Sequence, residues 1–357
     1  MKYWLVGAAI FSAGVVAGGE AAARTEPFGQ ETVEMRTPRY ARPKAQTRPH
    51  RHAHDHAHNH AHTHTHRGHH HHNDGRVHDH QHRHPENPHF GHEHGLETEH
   101  LFGFLSGSDV HHRGAKIGMI EIIGRFDKRD GRYQALGKKF EFAYGVTDTF
   151  NAAISLSAVR HKIEGVTGFD DVNNSLAFNG IGGEFRWNWV SRTTSPVGVT
   201  LHFEPVVQRH DELTGLRGRK YGAENKLIFD TELAKDRWFA AFNVLYEVER
   251  VLEQGETEWE KGSKLGFALA TTFRVTENVY LGFNAQYMRA YEGLTFRTFA
   301  GEAVYLGPTL YAKIGDRSFL SVAWNRQVWG AEVGNTARLD VANFERDLFR
   351  LKAGIHF

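Results

Sequence analysis

From about residue 117 to its end, the chain alternates apolar and polar positions with period two, in runs interrupted by turn-forming clusters. Alternation of this kind sends successive side chains to opposite faces of an extended segment and predicts strands, not helices. Runs at 117–128, 132–146, 151–163, 175–190, 197–210, 224–234, 237–251, 263–274, 279–291, 303–314, 318–330 and 345–357 give twelve antiparallel strands. The connections VTDTF, SRTTSPV, AKDRW, VTEN and GDRS are short and follow the second, fourth, sixth, eighth and tenth strands. The stretches EGVTGFDDVNN, DELTGLRGRKYG, EQGETEWEKG, YEGLTFRTFAGE and EVGNTARLDVANF are longer, while Asp130-Gly131 marks a tight first hairpin. Pro205 and Pro308 fall inside the fifth and tenth strands, where each should remove a ladder bond.

The last strand, FRLKAGIHF, puts Phe349, Leu351, Ala353, Ile355 and Phe357 on one face and Arg350, Lys352 and His356 on the other. It resembles the final strand of Gram-negative outer-membrane β-barrels, in which a terminal Phe is the barrel-insertion signal. The resemblance implies an all-β fold, an antiparallel transmembrane β-barrel of twelve strands surrounded by outer-membrane lipid. It assigns Phe357 to recognition by the barrel-assembly machinery. An even strand count with alternating short and long connections fits this reading and puts both termini in the periplasm. The competing fold is a soluble sandwich, which also has short alternating strands. Against it stand aromatics near strand ends: Phe140, Phe142, Tyr144, Phe185, Trp187, Trp189, Trp238, Phe242 and Trp324, placed like interfacial girdles. A mean hydropathy of -0.52 does not oppose a barrel, because lumen, loops and the polar region before the strands dilute the lipid-facing half.

Residues 1–23 read as a signal peptide: Lys2, an apolar stretch from Tyr3 to about Val16, and Ala21, Ala22 and Ala23 before the cleavage point. No later stretch is long and apolar enough for a spanning helix, and the chain has no Cys. Between this segment and the barrel at 97–357 lies a histidine-rich region, 24–96, expected to be periplasmic and disordered because it has too few apolar residues to bury a core. Of 27 histidines, 20 lie between His50 and His94, interleaved with Ala, Asp, Asn and Thr in a way no purification tag is.

In an extended chain His52, His54, His56, His58, His60, His62, His64 and His66 form one row of imidazoles. His69, His70, His71, His72, His78, His80, His82 and His84 continue the supply, and His89, His92 and His94, with His100 nearby, form a denser group closer to the barrel. Imidazole suits zinc, copper and nickel. The expected property is loose, high-capacity binding of divalent metal ions, zinc first, with copper or nickel as alternatives and none of them catalytic. The bland alternative is a hydrophilic tether that gains charge below about pH 6.5.

With the aromatic face outward, the lumen face carries Glu184, Arg186 and Asn188, then His202 and Glu204, Asp230 and Glu232, and Glu247 and Glu249. Lys139, Lys264, Lys313, Arg350 and Lys352 face them. This wall reads either as salt-bridged filling of a small barrel or as a polar conduit that favours cations. No enzyme is expected. Outer-membrane phospholipases carry His-x-Ser, whereas His161, His202, His210 and His356 have no Ser two residues on. HEHGL at His92 lacks the His-Glu-x-x-His spacing, no phosphate-cradling Gly loop appears, and His210-Asp211 resembles an outer-membrane protease pair only as a dipeptide. Nothing points to nucleic acid.

The segment EHLFGFLSGSDVHHRG, followed by GRFDKRDGRYQALGKKFEFAYGVTDTF, is similar to a family of largely uncharacterised proteobacterial outer-membrane proteins, from about residue 97 to the end. This implies a barrel and an exported location and supplies no catalytic residues. The leading expectation is a porin-like transport or binding protein whose periplasmic arm captures divalent metal and whose lumen passes small cations passively. A closed structural barrel with a metal-buffering or pH-responsive arm is the alternative, and an outer-membrane lipase or protease ranks below it. The absence of a long plug-like domain tells against an energy-coupled receptor.

Overall fold

The computed structural model describes residues 96–357. The signal peptide, nearly all of the histidine-rich region and its metal-ligand histidines up to His94 lie outside the described residues.

Period-two alternation yields thirteen strands: β1 (Lys116–Phe126), β2 (Arg132–Thr147), β3 (Phe150–Glu164), β4 (Val172–Asn173), β5 (Ala177–Val190), β6 (Gly198–His210), β7 (Arg217–Ala234), β8 (Trp238–Glu253), β9 (Glu260–Arg274), β10 (Val279–Glu292), β11 (Thr298–Ile314), β12 (Ser318–Glu332) and β13 (Asp347–His356). β4 is a two-residue addition to β3 within a loop, so twelve strands build the wall. Each pairs antiparallel with its neighbours, and β1 pairs with β13 from Ile117↔His356 to Phe126↔Asp347, which closes the sheet into a barrel. Closure removes every edge, as a hydrocarbon surround requires. The outer face is apolar: Phe140, Trp187, Trp189, Trp238 and Trp324 are all exposed there. This is the exterior of an outer-membrane barrel, with short turns at the periplasmic end.

Three expected long loops are shorter than expected, because the wall takes in part of each. β7 starts at Arg217, β9 at Glu260 and β11 at Thr298. Their first residues, RGRKYG, EKGSK and TFAGE, are mostly charged or small with at most one aromatic each, so the apolar alternation is weak there. Among the described residues, 165–176 and 333–346 form the long extracellular excursions. Each proline breaks one ladder and keeps the other: Pro205 pairs with Ala223 of β7 but interrupts β5–β6, and Pro308 pairs with Phe283 of β10 but interrupts β11–β12.

Residues 96–111 do not continue the wall. They turn inside the barrel as a lumenal plug that the sequence pattern did not reveal. Leu96, Leu101, Phe102 and Leu105 bury against Met119, Phe239, Ala241, Ala270, Tyr280, Tyr311 and Phe319 and form the main apolar core with them. At roughly 1.5–3 kcal/mol per fully buried large apolar side chain, this packing is a main force holding the plug. Two smaller clusters lie under the outer loops, one around Tyr133, Ile163 and Val166, the other around Tyr305 and Phe344.

Candidate functional site in the lumen

The plug meets a wall of side chains built to receive its backbone. The Arg186 guanidinium donates to the carbonyls of Gly107 at 2.6 Å and Asp109 at 3.1 Å. Asn188 donates to the Ser108 carbonyl at 3.0 Å, and Asn243 both accepts from the Ser106 amide and donates to its carbonyl, each at 2.9 Å. From the opposite wall Arg350 donates to the Phe104 carbonyl at 3.0 Å. Asp230 accepts from the hydroxyls of Thr98 and Ser108, and Arg192, in the β5–β6 turn, grips Asp109 and donates to the Leu96 carbonyl. A buried loop backbone must find such partners. Gly103 makes the tip possible: its φ is 67°, and a Cβ there would lie 2.6 Å from Thr309 Cγ2 and 2.8 Å from Ala323 Cβ.

Beyond the plug a charge network crosses the lumen. Lys139 Nζ lies 2.9 Å from Glu204, 3.0 Å from Glu141 and 3.6 Å from Glu121, and Arg350 Nε is 2.5 Å from the other Glu121 oxygen. His202 Nε2 is 3.4 Å from Glu184 and 3.7 Å from Glu204, while Lys226 pairs with Glu224. Five carboxylates, Glu121, Glu141, Glu184, Glu204 and Glu224, are thus matched in number by five cations, Lys139, Arg186, Lys226, Arg350 and Lys352, on neighbouring strands. The wall is charge-balanced, not an acidic stripe. The cavity left between plug and network is about 10 Å³, the lower limit for one water molecule.

The other expected lumen residues divide. Glu249 pairs with Lys220 at 2.6 Å and Glu247 with Lys264 at 3.3 Å, closer to the extracellular mouth. Asp230 serves the plug. Glu232 is exposed at the periplasmic rim, where it accepts from the Asp236 amide. His210 and Asp211 do not act as a pair: Asp211 accepts from Leu213 and Thr214 within its own turn.

At the extracellular mouth the β6–β7 loop turns inward. Tyr133 donates to the Leu213 carbonyl at 2.9 Å, His161 Nε2 to the Glu212 carbonyl at 2.9 Å, and Arg125 pairs with the Glu212 carboxylate at 3.1 Å. Burial alone would raise the Glu212 pKa, but Arg125 and Lys220 outweigh it and bring it down to about 2. Across the mouth the β12–β13 loop is held by Gln327, which donates to the Asp340 carbonyl at 3.0 Å, and by Tyr305, which donates to Glu345.

Two groups of side chains have metal-ligand composition among the described residues: Glu99, His100 and His111 in the plug, and Glu184, His202 and Glu204 in the wall. Burial disfavours a charged His111 ring, yet the carboxylates of Glu99 and Glu97 prevail and push its pKa up to about 9. His100 moves the other way, kept neutral by burial and by the charges of Lys352 and His111. Glu97, Glu99 and His111 carry no periodic signal in the sequence, although the apolar run LFGFL beside them, neither alternating nor helical in period, marks a packed non-strand segment.

The chain matches a family of unknown function, DUF6662, over residues 94–357, which takes in the plug and the whole barrel. It belongs to that family. The DUF6662 segment therefore begins at the plug and leaves out the histidine tract. No curated protein matches the chain. Among solved structures, the COG4313 outer-membrane channel from Pseudomonas putida F1 is 10% identical with a TM-score of 0.48, covering 70% of this chain and 98% of its own. The β domain of the Bordetella autotransporter BrkA is 11% identical at 0.43, covering 68% and 100%, and the NanC porin is 9% identical at 0.39, covering 66% and 98%. At such scores the fold of this DUF6662 member rests on its own strand pairing.

Proposed function

We propose that this protein is a plugged outer-membrane channel for small cations, served by a periplasmic histidine arm that captures divalent transition metal, zinc first and copper or nickel as alternatives. The observation that carries the reading is the plug itself. A barrel serving only as an anchor can fill its lumen with wall side chains, whereas here the periplasmic half is filled by a separate segment whose withdrawal would expose a polar, charge-balanced passage. The arm precedes the plug directly in the chain, so metal collected there is held at the mouth the plug occupies. Local accumulation follows from the number of imidazoles and needs no energy source.

The closed structural barrel has its own support in the inward-folded extracellular loops and the ion pairs spanning the lumen. Labelled zinc uptake by metal-starved cells carrying the intact protein, no protein, or a chain without residues 50–94 decides between them. The channel reading expects uptake to fall without the protein and to fall partly without the tract. Equal uptake in all three strains sinks it.

A further inference from the structure

We propose that the plug contains a built site for one zinc-class divalent ion, formed by Glu99, His100 and His111. All three side chains are buried, at 4%, 7% and 4% exposure, and one ligand atom from each falls within 4.8 Å of the others. Two observations separate this group from an ordinary polar cluster. Glu99 Oε2 and His100 Nδ1 are fully buried and accept or donate no hydrogen bond. Leaving such atoms without a hydrogen bond costs about 1–3 kcal/mol each. Among the described residues Oε2 has only the His111 ring nitrogen 3.3 Å away, and His100 Nε2 is 3.8 Å from the other Glu99 oxygen, so an ion ligated by Glu99 and the two rings would lie among groups that lack hydrogen-bond partners. The second is the support behind His111: its Nδ1 donates to Glu97 at 2.7 Å, leaving Nε2 aimed at Glu99 Oε2, 3.3 Å away without a hydrogen bond. A carboxylate behind an imidazole is the arrangement that orients metal-binding histidines.

The donor set selects the ion class. Two imidazoles and one carboxylate suit zinc and its neighbours, while calcium and magnesium favour all-oxygen shells. Ligand atoms around tetrahedral zinc lie about 3.4 Å apart at bond lengths near 2.0–2.1 Å, so binding draws the three side chains together by roughly an ångström. Arg186 sits 3.6 Å from the other Glu99 oxygen, Oε1, and leaves Oε2 for the ion. The His100 ring is fixed by stacking on Phe319 at 4.5 Å. Three protein ligands leave a fourth position for water or for a ligand from an incoming carrier. Glu99 and His100 lie where the segment enters the lumen and His111 where it leaves, so the ion would clasp the plug's two ends.

This site does not depend on the histidine tract. The test uses the full chain in detergent, with zinc or chelator, and reads two quantities: the temperature of barrel unfolding and the zinc retained per chain. Zinc is expected to raise the unfolding temperature by several degrees in the native chain and in H112N, which alters an exposed neighbour, but not in H100N/H111N, which should also retain one zinc fewer. Should the double variant fail to fold, E99Q carries the test and is expected to lose most of the shift. An equal shift in native and variant chains, or none in the native chain, overturns the proposal. Retention of a single zinc with the full shift would uphold the plug site while removing the tract's role.

Discussion

The periplasmic end of the lumen is filled by residues 96–111, a segment that among the described residues joins the barrel only through the start of β1. The extracellular end is covered by the β6–β7 and β12–β13 loops, each held by a strand at both ends. The plug is gripped by wall side chains that reach for its backbone carbonyls, with one apolar face buried behind it. The outer loops bring their own carbonyls and carboxylates to the wall and cover smaller apolar clusters than the plug does. The difference separates a part that can leave as a unit from parts that can only shift in place. On the channel reading proposed above, opening begins with the plug.

The sharpest test removes one closure at a time. Replacing residues 97–110 by a Gly/Ser linker is expected to raise single-channel conductance in planar bilayers from the closed level to that of an open pore. Trimming 334–344 should leave it near the closed level. The reverse pattern would break the comparison.

Point changes should follow the same order. Arg186→Ala strips two carbonyls and Glu99 of their buried partner, a loss of about 3–5 kcal/mol for a broken buried ion pair, seen as more frequent openings and faster proteolysis at the plug. Gln327→Ala removes neutral hydrogen bonds of the outer loop, about 1–3 kcal/mol, and should leave open probability unchanged. Gly103→Val, which forces a branched side chain against Thr309 and Ala323 at a positive φ, is expected to resemble Arg186→Ala.

The smallest effect is pH dependence, of opposite sign at the two ends. His111 has a pKa raised to about 9 from an ordinary 6.5, so with metal chelated its hold on the plug is complete below pH 6.5 and lost as pH rises through about 9. Glu212, lowered to about 2 from 4.5, steadies the outer loop fully above pH 4.5 and ceases to as pH falls through about 2. Hydrogen exchange of the plug amides and of residues 211–216 across that range should show the two regions loosening at opposite extremes.

The wall was legible in the sequence because a barrel strand must alternate, and Phe140, Trp187 and Trp324 announce which face meets lipid. The early starts of β7 and β11 were hidden because RGRKYG and TFAGE each carry a single aromatic, Tyr221 and Phe299, among charged and small residues, too few to mark the phase. Glu184, His202 and Glu204 could be assigned to one face by counting, but their neutralisation by Lys139 and Lys226 depends on which strands become neighbours and at what register. The plug obeys no period at all. Its order comes from partners such as Asp230, Asn243 and Arg350, 122 or more residues away from the groups they hold, and long-range pairing of that kind leaves no local trace.

The seam between β1 and β13 lies beside the plug and shares a side chain with it. Arg350, on the last strand, donates to the Phe104 carbonyl at the plug tip and pairs with Glu121 of β1. One guanidinium thus fastens the two strands that close the ring to each other and to the occupant inside, so a change that loosens the seam also loosens the grip on the tip.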